Sequence, residues 1–338
     1  MNDTTPPLVQ IRDLSVTYKT RLGDTSAVDK VSFDIRRGEI LGLVGESGCG
    51  KSTLGKALLR MIMPPGRISA GQILFNGEDI LTFDDKRLRD YRGRQASMIF
   101  QDPMTSLNPV QTVEQHLTEA IQVHDAGAES QSMARRIQAL IERLGIMQSR
   151  LASYPHQLSG GMRQRVMIGL GLVLNAGLII ADEATTSLDV IVEAKLVDQL
   201  REIRDVYGVT ILAITHNIAL VAEMADRVAV MYAGNLVELG EVNRIFDRPL
   251  HPYTQGLLAS VPTTEINERK ELYKMPGEPP NLARPPSGCR FHPRCPVAMP
   301  ICSRYRPGLN EAAPGHWVHC WLYQDHPEKE EKTLKVAA

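Results

Sequence analysis

Residues 45–52, which read GESGCGKS, constrain this chain more than any other segment. They fill the pattern G-x-x-x-x-G-K-[ST] at every fixed position. The apolar run at 39–44 predicts a buried strand before them, and residues 53–59 predict a helix after them. Glycines let backbone N–H groups surround an anion, and a helix N-terminus adds partial positive charge. We therefore expect Lys51 to reach the β- and γ-phosphates of a nucleotide and Ser52 to ligate Mg²⁺.

Length and composition narrow the class of protein. The 338 residues allow one large domain with an appendage, or two domains, and 43% are hydrophobic. A net charge of −1 argues against nucleic acid as a partner. No apolar run is long enough to cross a bilayer, and the polar residues 1–7 do not resemble a signal peptide. We expect a cytosolic protein, in which disulfides are the less common use of the five cysteines.

Strand and helix patterns alternate along most of the chain. Alternating residues at 27–35 predict a half-buried strand, and residues 69–82 predict a short strand pair with a hairpin at Asn76-Gly77. The pattern is mainly helical from about 86 to 175. Beyond it come a buried strand, an amphipathic helix and another buried strand, at 178–182, 190–207 and 209–215. This order indicates an α/β protein with a mostly parallel sheet.

Three functional side chains are predicted at strand ends. Asp182 and Glu183 end the first buried strand, and His216 follows the second. Ligands of open parallel sheets bind at the carboxyl ends of the strands, so these residues are expected near the phosphates. We predict that Asp182 organises Mg²⁺, that Glu183 orients and deprotonates an attacking water, and that His216 contacts the γ-phosphate.

A second glycine motif, Leu158–Arg165 (LSGGMRQR), decides the class. A serine and two glycines before a helix form another anion-accepting helix end. The segment resembles the signature motif of ABC ATPases, the engines of ATP-binding-cassette transporters. Further matches follow in the family's order and spacing over residues 8–250. Gln101 resembles the Q-loop glutamine, Ser187-Leu188-Asp189 resembles the D-loop, and His216 resembles the switch histidine. Tyr18 resembles the aromatic residue that stacks on adenine, although considered alone it would be interpreted as an ordinary sheet residue.

The resemblance implies a P-loop NTPase ABC cassette with a RecA-like parallel sheet core, an antiparallel β subdomain and a helical signature subdomain at about 90–175. It implies an ATPase domain at 1–250 and a small Cys/Pro-rich extension at 251–338. In this family two cassettes pair head to tail, so that each ATP lies between one loop and the signature of the other subunit. The implied sites are Tyr18, Gly45, Glu46, Ser47, Gly48, Cys49, Gly50, Lys51, Ser52 and Thr53 for ATP; Ser52, Gln101 and Asp182 for Mg²⁺; Glu183, His216 and Gln101 for catalysis; and Ser159, Gly160, Gly161 and Gln164 for the partner's ATP.

Two residues depart from the family pattern. Ala184 stands where proline usually follows the catalytic glutamate, and Asn217 stands where aspartate commonly follows the switch histidine. Neither change removes a group that binds phosphate, so we expect ATPase activity to survive both.

The tail carries four cysteines, Cys289, Cys295, Cys302 and Cys320, in a proline-rich region. They lack the tight C-x₂₋₄-C pair of most structural zinc sites, whereas four thiolates can hold an iron–sulfur cluster. From the residues alone, the four cysteines could hold an iron–sulfur cluster, bind zinc or remain unlinked thiols. Residues 251–258 (HPYTQGLL) and 288–296 resemble the tail of oligopeptide and dipeptide importer ATPases, some of which hold a [4Fe–4S] cluster on four such cysteines.

Together these features predict the ATPase of a peptide-type importer, peripheral on the cytoplasmic face of the inner membrane. The implied partners are a second ABC ATPase subunit, preferably a different chain, two transmembrane permease subunits and an extracytoplasmic solute-binding protein. Residues 102–109 would form part of the groove for permease coupling helices. The alternatives are a soluble ABC ATPase of DNA repair or translation, which the single cassette without coiled coil disfavours, and an iron–sulfur redox protein. The sequence does not identify the transported solute. Short peptides are the first candidate, but nickel, opines, glycosides and antimicrobial peptides are carried by related systems.

Overall fold

A computed structural model describes residues 6–21, 23–100, 106–125, 127–183, 190–260 and 274–325, with backbone only for 190–196. Strands and helices alternate as predicted. The described strands are β1 (Val9–Thr20), β2 (Gly23–Ile35), β3 (Ile40–Val44), β4 (Gly66–Phe75), β5 (Glu78–Asp79), β6 (Ala96–Ile99), β7 (Leu178–Asp182), β8 (Thr210–Ile214), β9 (Arg227–Tyr232), β10 (Asn235–Glu241), β11 (Asn310–Ala313) and β12 (His316–Val318). The described helices are α1 (Lys51–Leu58), α2 (Asp85–Arg94), α3 (Val113–His124), α4 (Ser130–Arg143), α5 (Gly160–Leu172), α6 (Val190–Tyr207), α7 (Ile218–Met224), α8 (Val242–Asp247), α9 (Pro252–Ala259) and α10 (Pro300–Arg304).

The described strands form two sheets. The larger has the order β11-β12-β10-β9-β3-β8-β7-β6, and the smaller has the order β2-β1-β4-β5. Pairing is parallel from β9 through β3, β8 and β7 to β6, and antiparallel throughout the smaller sheet. The predicted cassette architecture, with a parallel core and an antiparallel β subdomain, is confirmed.

The central strands are buried on both faces, which explains their continuous apolar runs. On β3, Leu41 and Leu43 join a core with α1 and the smaller sheet, whereas Ile40 and Val44 join a core with α3, α4 and α5. The strands therefore form a rigid layer between two cores, and their carboxyl ends are held in fixed positions.

Two local expectations differ in outcome. The Asn76-Gly77 hairpin is present. The two residues have positive φ values of 52° and 83°, as a tight two-residue turn requires. The interval from 86 to 175, expected to be mainly helical, also contains the edge strand β6, which pairs with β7 in parallel. Its four residues are too short to display a periodic pattern.

The tail continues the main sheet. Strand β12 pairs antiparallel with β10, which joins Glu238 to Val318 and Leu239 to Trp317 in register. The sheet therefore runs across residue 250, where the change of composition predicts a boundary. Within the described ranges, no helix combines the length and apolar character needed to span a bilayer.

Candidate nucleotide site and cysteine-lined cavity

The phosphate loop links β3 to α1 and is pressed against its neighbours. Gly45 has φ 151°, and a Cβ there would lie 2.1 Å from the carbonyl oxygen of Met231. Gly50, the residue that caps α1, has φ 106°, and a Cβ there would lie 2.2 Å from the Ala27 carbonyl oxygen. Only glycine fits these two positions, which leaves the loop backbone free to curl around an anion.

Lys51 and Ser52 are the first two residues of α1, and their side chains bind groups of the protein itself. The Lys51 ammonium is buried and donates to the carbonyl oxygens of Gly45 and Glu46 at 2.8 and 3.1 Å. The Ser52 hydroxyl donates to Oδ1 of Asp182 at 2.7 Å, which brings together two predicted Mg²⁺ ligands 130 residues apart. Burial raises the pKa of Asp182, while the Ser52 hydrogen bond lowers it in part. A bound cation would offset the remaining cost of burying the negative charge of that carboxylate.

The remaining loop residues differ in burial. Ser47 and Gly48 are exposed, Glu46 and Thr53 are half-buried, and Cys49 is buried. Burial raises the pKa of the Cys49 thiol, which therefore stays protonated near neutral pH.

Glu183 and His216 meet at the same sheet edge. Glu183 directly follows β7 with φ 46°, a strained conformation for a glutamate, and its N–H donates to the Ile214 carbonyl oxygen at 2.8 Å. Its Oε1 lies 3.6 Å from Nδ1 of His216. Asn217 caps α7 by accepting the Ala219 N–H at 3.1 Å, so this departure from the family pattern keeps a capping role.

The signature motif lies at the start of α5. Ser159 is exposed and caps the helix, and its hydroxyl accepts the Met162 N–H at 3.3 Å. Gly160 is exposed and Gly161 half-buried at this end, whereas Gln164 is buried one turn later. The serine and the first glycine thus lie on the protein surface, where a second molecule can reach them.

Tyr18 lies half-buried on β1, and its ring packs over Gly66 of β4. One face of this sheet residue is therefore occupied by protein. The other predicted positions, Gln101, Ser187, Leu188 and Asp189, together with Ala184 and residues 102–105, lie outside the described residues.

The four predicted tail cysteines line one small cavity, together with Phe291 and His251. Burial raises the pKa of Cys289 to about 11 and that of Cys320 to about 12, and the other cysteines add to both shifts. The thiols therefore lie close enough to influence each other's charge. No group of three or more His, Cys, Asp or Glu side chains stands at the spacing of a metal-ion site within the described ranges.

The structure adds contacts that the motifs did not indicate. Arg294 forms an ion pair with Glu46 of the phosphate loop at 2.9 Å, and the Tyr253 hydroxyl accepts the Glu46 N–H at 2.9 Å. Tyr253 lies in segment 251–258 and Arg294 in segment 288–296, the two tail segments that resemble those of importer ATPases. Because they lie more than 200 positions from Glu46, no local sequence pattern could reveal the contact.

The chain is similar to known proteins in both of its parts. The ABC transporter family matches residues 28–186, and the family described as "Oligopeptide/dipeptide transporter, C-terminal region" matches residues 237–302. The oligopeptide transport ATP-binding protein OppD of Bacillus subtilis (strain 168) is 42% identical, covering 98% of this chain and 93% of its own length. The dipeptide transport ATP-binding protein DppD of Escherichia coli (strain K12) is 43% identical, covering 93% of this chain and 96% of its own.

Solved structures agree on the fold. The chain is similar to cbiO1 from Clostridium perfringens, part of an ABC transporter complex, with a TM-score of 0.62 and 27% identity over 72% of this chain and 92% of that one. The dimeric bacterial ABC transporter cassette MJ0796 gives the same TM-score at 23% identity, covering 69% of this chain and 98% of its own. The chain is an ABC-type ATPase and belongs to the family of ATP-binding subunits of oligopeptide and dipeptide ABC transporters.

Proposed function

We propose that this chain binds and hydrolyses ATP to power the import of di- or oligopeptides, or of a related small solute. One observation carries the proposal. The Ser52–Asp182 and Glu183–His216 pairs adjoin a phosphate loop in a chain whose tail matches the oligopeptide/dipeptide transporter region. The tail match favours a transporter ATPase over an ATPase of DNA repair or translation.

The side chains suit in-line attack of water on the γ-phosphate. Ser52, Gln101 and Asp182 would hold Mg²⁺, which would supply positive charge to the phosphate oxygens. Glu183 accepts a proton as the water oxygen bonds to the γ-phosphorus and the bond to the bridging oxygen breaks, so that ADP leaves with that oxygen. His216, whose Nδ1 lies 3.6 Å from Oε1 of Glu183, is at the same sheet edge. By the family resemblance, we assign it the contact with the γ-phosphate.

The other nucleotide contacts follow the family arrangement. The loop from Gly45 to Thr53 holds the phosphates, and Tyr18 stacks on the adenine. A second cassette supplies the opposite wall of each site, and we favour a different chain for it. In return, Ser159, Gly160, Gly161 and Gln164 contact the nucleotide of that partner. The D-loop residues Ser187, Leu188 and Asp189 line the same interface.

The remaining partners are two permease subunits and an extracytoplasmic solute-binding protein, with this chain peripheral on the cytoplasmic face of the inner membrane. Gln111 and the polar face of α3, including Glu114 and Thr118, line a shallow depression. We assign this depression, together with residues 102–109 that precede it in the sequence, to the groove for a permease helix. ATP-driven closure of the paired cassettes would then change the permease orientation through this contact.

We also propose that Cys289, Cys295, Cys302 and Cys320 hold a [4Fe–4S] cluster. The support is the shared cavity and a donor set of four thiols, which is the usual ligand set of such clusters. A cluster spreads its ligands over four irons, so it needs wider spacing than a single ion does. Thiols with raised pKa values must lose protons on binding, so we expect assembly to be favoured at higher pH.

The function is tested by reconstituting the full transporter in proteoliposomes. We expect solute-binding protein loaded with peptide to stimulate ATP turnover, and Glu183→Gln to abolish that turnover while the complex stays assembled. DNA and ribosomes should have no effect. Turnover that is indifferent to the binding protein, or stimulated by nucleic acid, would contradict the proposal.

The cluster is tested on protein purified without oxygen. We expect iron, sulfide and a visible absorption band in the wild type, and their loss in Cys302→Ser. The matched control is Cys49→Ser, because Cys49 lies in the phosphate loop away from the cavity. Absence of iron and sulfide from the wild type would rule the cluster out.

A further inference from the structure

The tail and the phosphate loop are joined by a bidentate ion pair. The two terminal nitrogens of Arg294 donate to the two carboxylate oxygens of Glu46 at 2.9 and 3.1 Å. The Arg294 side chain is 6% exposed and that of Glu46 is 24% exposed, so the pair is largely shielded from water. Such two-pronged contacts combine charge with a fixed geometry, unlike an exposed pair between flexible side chains.

The Arg294 guanidinium is itself held in place. Its Nε donates to the Pro276 carbonyl oxygen at 2.8 Å, and one terminal nitrogen also donates to the Tyr232 hydroxyl at 3.2 Å. Burial acts to lower the Arg294 pKa, but hydrogen bonds to Glu46 and Tyr232 outweigh it and raise the pKa. Arg294 is therefore a fixed positive charge beside the loop.

A second contact holds the main chain of the same loop residue. The Glu46 N–H donates to the Tyr253 hydroxyl at 2.9 Å. Tyr253 is fully buried, with its ring centroid 4.6 Å from that of Tyr232 and 5.5 Å from that of Phe291. The side chain of Glu46 is thus held by Arg294 and its amide by Tyr253, both of which follow β9 in the sequence. Phe291, which packs on Tyr253, also lines the cysteine cavity.

We propose that Arg294 and Tyr253 are positioning residues for nucleotide binding, through which the tail sets the shape and charge of the phosphate loop. This inference rests on the ATP site proposed above. Glu46 introduces a negative charge into a loop that receives a triphosphate. Arg294 neutralises that charge, and Tyr253 fixes the adjoining backbone. Without Arg294, the unpaired carboxylate would repel the phosphates.

The test measures nucleotide affinity of the full-length chain with a fluorescent ADP, and KM and kcat for ATP in the reconstituted transporter. We expect Arg294→Gln to weaken affinity about tenfold and to raise KM more than it lowers kcat. Adding Glu46→Gln to that variant should restore affinity to within about threefold of the wild type, because the unpaired charge is gone. Tyr253→Phe, which removes only the hydroxyl, should weaken affinity by a few-fold, and it tests the idea separately if Arg294→Gln does not fold.

Arg306→Gln is the matched control. Arg306 also ties the tail to the cassette, through Asp29 at 3.0 Å, without touching the loop, so its loss should leave nucleotide affinity unchanged. Unchanged affinity in Arg294→Gln, or a double variant as weak as Arg294→Gln alone, would overturn the inference. A wild-type chain that binds no nucleotide would instead overturn the proposed ATP site.

Discussion

Glu238 is one of the residues that hold the tail on the cassette, and its replacement offers a quantitative test of the fold. The side chain is fully buried on β10. Its Oε1 accepts the Leu250 N–H at 2.8 Å and lies 2.7 Å from Nε2 of His316, and its Oε2 accepts the His251 N–H at 2.9 Å. One carboxylate therefore satisfies three donors, on the chain entering α9 and on β12.

Glu238→Gln keeps the shape of the side chain but removes its charge and one acceptor oxygen. At least one buried donor loses its partner, and the others lose charge assistance. Hydrogen bonds to charged groups contribute about 1.5–3 kcal/mol each, and an unsatisfied buried donor costs about 1–3 kcal/mol. We predict that the free energy of unfolding falls by about 3 kcal/mol.

The assay is urea unfolding followed by tryptophan fluorescence. The two tryptophans of the chain, Trp317 and Trp321, both lie in the tail, so the signal reports the part that Glu238 holds. The matched control is Glu241→Gln on the same strand, because Glu241 is 57% exposed and pairs only loosely with Arg244 at 3.4 Å. The control should cost less than about 1 kcal/mol. Equal unfolding free energies for the two variants would refute the role assigned to Glu238.

Three further predictions concern the active site and the response to acid. Glu183→Gln should slow the release of phosphate from ATP at least about a hundredfold but leave the affinity for ATP unchanged, because only the proton acceptor is lost. A loss of ATP affinity as large as the loss of rate would contradict this role. Gly45→Ala should abolish nucleotide binding, since its Cβ would lie 2.1 Å from the Met231 carbonyl oxygen, whereas Gly38→Ala, with φ 68° and open space, should keep it. Burial lowers the pKa of His251 to about 3, so below the ordinary pKa near 6.5 the unfolded chain binds a proton that the folded chain excludes. His251 should therefore contribute a fall of about 2 kcal/mol in the unfolding free energy from pH 7.5 to pH 5, and His251→Asn should reduce the fall measured in denaturation curves by about that amount. His319, whose pKa burial lowers to about 4, should supply a similar contribution that persists in the variant.

The cassette was predictable because its chemistry is local. The loop glycines, Lys51 and Ser52 are consecutive, and Asp182 follows a strand that is apolar because both of its faces are buried. The rule that strand carboxyl ends converge then suffices to bring Asp182 to Ser52. The signature serine was likewise identifiable, because a serine before glycines predicts a helix cap, and Ser159 is one.

The docking of the tail was not predictable because it depends on partners distant in the sequence. Strand β12 has three residues, too few for a periodic pattern, and it forms because β10 offers a free edge. Arg294 occurs among prolines and cysteines, a composition that drew attention to the cysteines as ligands. It gave no indication of an ion pair with a loop residue 248 positions away. Such contacts are determined by tertiary packing, which rules based on local sequence patterns do not predict.

The central claim is that ATP is bound between the phosphate loop of one cassette and the signature motif of its partner. The most direct test uses an ATP analogue with a photoreactive group on its γ-phosphate, bound to the assembled transporter in which the two cassettes are distinguished by isotope labelling. We predict that analogue held by Lys51 of this chain cross-links to the signature segment of the opposite cassette, and that Lys51→Ala removes that product. Cross-linking to residues 158–165 of the same chain would contradict the account.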